Sequence, residues 1–369
     1  MKACANEGSL HMKKLGFLFA TLIAFGQAPE APAVFTTGTN SVLVDTAVTG
    51  DRRLIEGLQR EDFVLLENGQ PRTIAGIEHD ELPLDIVLVC QVPLRGPNGV
   101  SVKLRNDGTD VPPPSASDLE FHQGGFALRN ENTPQRLMNA AANAVLGARP
   151  GDRFAMVSYG RDPRIELRFT DNRKAIAGAI KRFDDPANAD ENIVVSSEAL
   201  AIEYAVRMLA DVERNDPNAR TSRRRLIVLI SNIYGVGTRY ADEPIIRRLW
   251  DQNIVLSVID DAAPTASTKA VQHSSGGESQ TILFRRYNPI HIAQATGGDR
   301  IVAVDQDQGA PQHPLDLLTP LRQRYTLWFN QPSDVPPGES RTIKLALSEA
   351  ARRRFPDAVV KAREGYVTR

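Results

Sequence analysis

The stretch LDIVLVCQVPLRG (residues 84–96) runs from a continuous apolar segment into a loop. Such a segment reads as a strand buried on both faces, and open α/β sheets bind ligands beyond the carboxyl ends of their strands. That end carries Cys90, Gln91, Pro93 and Arg95, none of them a carboxylate. Cys90 has no histidine near it in sequence to activate it, so it reads as a small buried hydrophobe and not as a nucleophile. The six histidines (His11, His79, His122, His273, His291 and His313) show no metal-ligand spacing. Nucleophile-elbow and phosphate-loop patterns are absent. Asp260-Asp261 closes a second apolar run, but Asp85 opens its own run, so no acid/base pair of carboxylates is expected. The basic clusters RTSRRR (220–225) and EAARRRFPD (349–357) read as solvated turns.

The elements that must position this loop follow from periodicity. Apolar runs predict strands over 85–91, 153–159, 165–169, 225–231, 254–260 and 300–304. Helical stripes lie between them. Residues 134–149 align Leu137, Met138, Ala141, Val145 and Leu146, and residues 196–212 align Ala201, Ala205, Met208, Leu209 and Val212, capped by Ser196 or Ser197. Residues 170–183 start at a Thr170 cap, and 242–253 carry Pro244 in the first turn, where a missing N–H costs little. Alternating strands and helices predict an α/β fold with a doubly wound, mostly parallel sheet flanked by helices, over 83–318. Residues 34–82 alternate as β structure, with a hairpin signal at Asn68-Gly69. The chain returns to β over 319–369. A β-sandwich-like module built from both flanks explains why neither is large enough alone, two separate small β units being the alternative. The segment 96–133, rich in Gly and Pro, is too long for an ordinary connection and reads as an insertion, either disordered or a binding lid. A second polar loop, Ala262 to Thr281, also follows a strand end.

The 369 residues suffice for about two domains. A net charge of −1 gives no electrostatic case for nucleic acid or an anionic membrane surface. Within residues 1–33, Met12, Lys13, Lys14 and the apolar run Leu15 to Gly26 read as a secretory signal peptide starting at Met12. That run is shorter than the roughly 20 residues a membrane-spanning helix needs, so no integral span is expected in the mature chain. Cleavage there removes Cys4 and leaves Cys90 without a disulfide partner.

In this order the pieces resemble bacterial exported proteins with a von Willebrand factor A-like (VWFA-related) domain. GLQREDFVLLENGQPRTIAGIEHDELPLDIVLV resembles that family's opening β module and first strand; RPGDRFAMVSYG and RRRLIVLISNIYGVGTR resemble its second and fourth strands. IAQATGGDRIVAV, LRQRYTLWF and KAREGYVTR resemble its closing helix and return to β. The resemblance implies a metal-ion-dependent adhesion site, built from D-x-S-x-S after the first strand, a Thr before the third helix and an Asp after the fourth strand. Such a site offers a hard cation about six oxygens. On this chain those positions fall on Gln91, Pro93 and Arg95, on Ser196 or Ser197, and on Asn232. No carboxylate remains among them, and Arg95 brings a permanent positive charge, so neither a metal nor any other cofactor is expected. Arg95 itself could take the cation's place toward a partner carboxylate. The expected function is a non-enzymatic, adhesion-type binding module of the bacterial envelope or exterior, with an unknown protein partner. The alternatives are a structural or assembly scaffold, or an enzyme of unknown class.

Overall fold

The computed structural model describes residues 41–51, 53–79, 81–92, 147–160, 162–183, 198–216, 222–231, 242–260, 271–275, 278–282, 288–302 and 318–369. Its central sheet runs β13 (Arg300–Val302), β10 (Ile254–Asp260), β9 (Arg224–Ile230), β6 (Leu84–Gln91), β7 (Arg153–Tyr159), β8 (Arg164–Thr170). Neighbours pair in parallel except β7 and β8, which are antiparallel. The unbroken apolar strands fill two cores at once. Ile86, Leu88 and Cys90 point into one, shared with Ile176, Ala179 and Ile180 of α1 (Arg173–Phe183). Val87 and Val89 point into the other. There they meet α2 (Glu198–Asn215), α3 (Asp242–Asp251) and α4 (Pro289–Ala295). The period of two along a strand assigns each side chain its layer.

The described parts of three expected helices, 173–183, 198–215 and 242–251, fall on their sequence signals, with one correction. The cap of α1 is Asn172, not Thr170: Asn172 Oδ1 accepts from the backbone N–H groups of Lys174 and Ala175, while Thr170 Oγ1 accepts from Asn172 N–H. Pro244 lies in the first turn of α3. A second correction concerns residues 262–281, read as a polar loop. They contain β11 (Val271–Ser275), which pairs antiparallel with β12 (Glu278–Ile282).

The flanks build two antiparallel sheets, each drawing on both chain ends. One runs β16 (Val359–Ala362), β1 (Ser41–Gly50), β14 (Tyr325–Asn330), β5 (Gly76–Glu78), with β2 (Arg53–Leu54) beside β1. The other runs β17 (Gly365–Val367), β15 (Ser340–Leu347), β3 (Phe63–Glu67), β4 (Gln70–Arg72). Both sheets feed one core, where Val44, Leu327 and Phe329 of the first pack with Phe63, Leu65 and Ile343 of the second. Asn68 (φ 47°) and Gly69 (φ 79°) close the two-residue hairpin between β3 and β4, the positive φ values a type I′ turn requires. Two short helices, α5 (Thr319–Arg322) and α6 (Glu349–Arg354), and a 3-10 turn (Arg60–Asp62) complete the described elements.

The α/β layer and these sheets join through buried arginines. Arg363 donates to the carbonyls of Gly365 and Trp250 and to Asn253 Oδ1. Arg324 donates to the carbonyl of Gly297, and Arg224 to the carbonyl of Arg324. Burial pulls the guanidiniums of Arg324 and Arg363 down to about 10. Gly365 admits the Trp250 ring, which a Cβ there would meet at 2.4 Å. The cluster 220–225 is thereby corrected. Arg224 and Arg225 are buried rather than solvated, and Arg225 pairs with Glu213 at 2.7 Å. In the other basic cluster, Arg353 pairs with Glu349 and Arg354 with Asp62. Insertion 96–133, most of the stripe 134–149 and the leader-like segment 12–33 lie outside the described residues. Among the described residues no helix is long and apolar enough to cross a membrane.

Candidate functional site

Four strands end side by side at the carboxyl edge of the central sheet. Gln91 is the register partner of Tyr159, Cys90 of Ile230, and Ile259 of Ile230. One residue further along, Asp260, Ser231, Gln91 and Tyr159 fall into a single row on one face of the sheet. That face is the one covered by α2, because Tyr159 packs in the core that α2 shares. The row is polar although it sits above a core: Asp260, Ser231 and Tyr159 are each at most 2% exposed.

A carboxylate from the helix layer closes the row. Glu198 opens α2 and is 7% exposed. Its Oε2 accepts from the Tyr159 hydroxyl at 2.8 Å and from the Ser231 hydroxyl at 2.7 Å. Ser231 Oγ also lies 3.5 Å from Gln91 Oε1. A buried carboxylate needs such donors, since leaving it unpaired costs several kcal/mol. Its place in the first turn of a helix adds the favourable field of the helix amino end. The Tyr159 phenol is pushed well up, first by burial and then by the negative charge of Glu198. At the far end of the row Asp260 is held by Arg300 through two bonds, 2.6 and 3.0 Å.

The other face of the same strand ends is different. Cys90 is fully buried in the opposite core, and burial, aided by the charge of Glu166, pushes its thiol up to about 12. Ser158, beside it in register, donates to Glu166 Oε1 at 2.6 Å.

Of the sequence-derived site positions, Gln91 falls in the row. Pro93, Arg95, Ser196, Ser197 and Asn232 lie outside the described residues. Two carboxylates outside those positions stand at this edge: Glu198, the residue after Ser197, and Asp260, which closes its strand as the sequence indicated. The signal for Glu198 was present: an acidic residue directly after the two serines read as cap candidates, at the expected start of a helix. His291 is on α4, with Nδ1 2.9 Å from Asp242 Oδ2.

Residues 127–234 match the family profile described as von Willebrand factor type A domain. No curated protein matches the chain. Among solved structures, an aerotolerance-related membrane protein from Bacteroides fragilis is 13% identical, with TM-score 0.36, covering 62% of this chain and 94% of that one. The conserved hypothetical protein BatB from Bacteroides thetaiotaomicron is 10% identical, with TM-score 0.38, covering 65% and 99%. The manganese-loaded TRAP protein of Plasmodium vivax is 11% identical, with TM-score 0.36, covering 82% and 98%.

Proposed function

From the premise that this chain has a von Willebrand factor A-type α/β fold, we propose that it is a non-enzymatic protein-binding module of the cell envelope or exterior that works without a metal ion. The α/β domain presents the carboxyl edge of its sheet to the partner, and the strands of both flanks form a supporting β module. The observation that carries the metal-free reading is the closure of the polar row. Its carboxylate oxygen Glu198 Oε2 already takes two hydroxyl donors, Tyr159 and Ser231. A hard divalent cation asks for about six oxygens with several negative charges. Here it would have to displace both hydroxyl protons from that oxygen and accept an amide, Gln91, in place of a carboxylate. Asp260 is neutralised by Arg300 and does not add to the donor set. On this reading Arg95 supplies the positive charge that meets a partner carboxylate.

Thermal unfolding in EDTA, Mg²⁺ and Mn²⁺ tests this reading. A cation bound only by the folded chain must raise the midpoint by mass action. The midpoint is expected to be the same in all three. A saturable rise with either ion, abolished by Glu198→Gln, would overturn the metal-free reading.

A further inference from the structure

The outer faces of the two antiparallel sheets differ in what covers them. That of the sheet containing β1 and β14 lies against the α/β layer, where Asp45 and Thr326 meet Arg224. That of the sheet containing β3 and β15 is flanked among the described residues by α6. The register sets its composition. Val64 is partnered by Ala346, and Leu66 by Lys344 and Pro71. Cross-strand partners share a face. Val64, Leu66, Pro71, Lys344 and Ala346 therefore form one outward lattice, apolar at every position but Lys344. A solvated sheet face is ordinarily polar at these positions, yet Val64 is 42% exposed.

Between this lattice and α6 lies a groove of about 320 Å³, lined by Val64, Leu66, Lys344, Ala346, Glu349 and Arg352. Its volume is at the low end for a ligand pocket, which suits one or two side chains. The charges at its rim are unbalanced. Arg353 takes up Glu349, and Arg354 takes up Asp62. The side chains of Lys344 and Arg352 line the groove and have no ion-pair partner among the described residues.

We propose that this groove docks an acidic, extended segment of a partner protein, with apolar side chains on Val64, Leu66 and Ala346 and carboxylates against Lys344 and Arg352. The floor is built of two strands, so alternate residues of an extended chain match its spacing. The site lies on the β sheets and not at the carboxyl edge. It stands or falls separately from the metal-free reading of Glu198.

The test is fluorescence anisotropy of the full chain with two labelled probes, acetyl-Asp-Leu-Asp-Leu-Asp-amide and the same peptide with Lys for Asp. The acidic probe is expected to bind saturably and more weakly as salt rises, the basic probe not at all. The double variant Lys344→Glu/Arg352→Glu and the single variant Val64→Asp are each expected to weaken binding roughly tenfold or more, about 1.4 kcal/mol. Lys174→Glu, an exposed lysine on α1 of the α/β layer, leaves it within about twofold. Both variant sites are exposed, and an unchanged unfolding midpoint verifies folding. Equal binding of the basic probe, no saturable binding, or indifference to both variants would overturn the proposal. So would a preference for phosphatidylglycerol vesicles over the acidic probe that the same variants abolish, which would make the groove a lipid contact.

Discussion

The two ends of the central sheet hold their buried carboxylates with different mixtures of donors. At the amino end, carboxylates and guanidiniums are matched or over-matched. Asp85 accepts from Arg153 Nε and Nη2 at 2.8 and 2.7 Å and from Arg223 Nε at 2.8 Å. Asp152 receives Arg322 and the backbone N–H of Leu84 and Arg149. At the carboxyl end, Asp260 is paired with Arg300, while Glu198 Oε2 accepts from the hydroxyls of Tyr159 and Ser231. Full ion pairs fix the amino end as a joint, where Arg224 reaches across to the flanking sheets. At the carboxyl edge an ion pair and a hydroxyl-bound carboxylate share one row of the sheet.

The largest effect should come from breaking the charge match. Asp85→Ala leaves the Arg153 and Arg223 guanidiniums facing each other with nothing between. Removing one partner of a buried pair typically costs 3–5 kcal/mol. Arg153 is 32% exposed at its side chain and can turn to water, so a loss of about 3 kcal/mol is expected from denaturant unfolding. A loss below about 0.5 kcal/mol would mean that the amino end is no joint and that the contrast between the two ends is false.

Glu198→Gln probes the other side of the comparison and should cost less, about 1 kcal/mol, because the amide oxygen still accepts from Tyr159 and Ser231. The sharper readout is phenol ionisation. The Glu198 charge helps hold the Tyr159 phenol well above its ordinary value, after burial. Removing that charge must therefore lower the pH at which this tyrosine ionises. Ultraviolet difference titration, with Tyr159→Phe to identify the signal, reads the shift. No shift would mean that Glu198 carries no negative charge beside the phenol, and the neutral-donor description of the carboxyl edge would fail.

The contrast between the two ends was only half legible in the sequence. Unbroken apolar runs fixed the strands closely: 153–159 and 254–260 have the bounds expected of them. That signal is local, because a strand buried on both faces must be apolar throughout. The Asn68-Gly69 hairpin was readable for the same reason, since two positive φ values demand those residue types. The arginine joint was not. Three consecutive arginines look solvated until the chain brings Asp85, Asp45 and Glu213 to them from 12 to 179 residues away. Glu198 was missed because a family pattern directs attention to positions where ligands are absent, not to a neighbour whose side chain turns in. The β11–β12 hairpin is polar, and no apolar period marks it.

The smallest effect tests the two faces of a single strand end. Gln91 belongs to the polar row, while Cys90, one residue earlier, belongs to the apolar core on the other face. If that core is as tightly closed as its packing implies, the thiol should be inert, since the thiolate is the reactive form and burial raises this thiol to about 12. In a Cys4→Ser chain, Cys90 should not react with an aromatic disulfide reagent at pH 8 until denaturant unfolds the protein, whereupon one thiol should titrate. The rate should then follow unfolding and not reagent concentration. Fast labelling of the folded chain would place the strand end at an open surface on both faces. The polar row would then be one side of an accessible crevice, and the carboxyl edge would have to be rebuilt around Cys90 as well as Glu198.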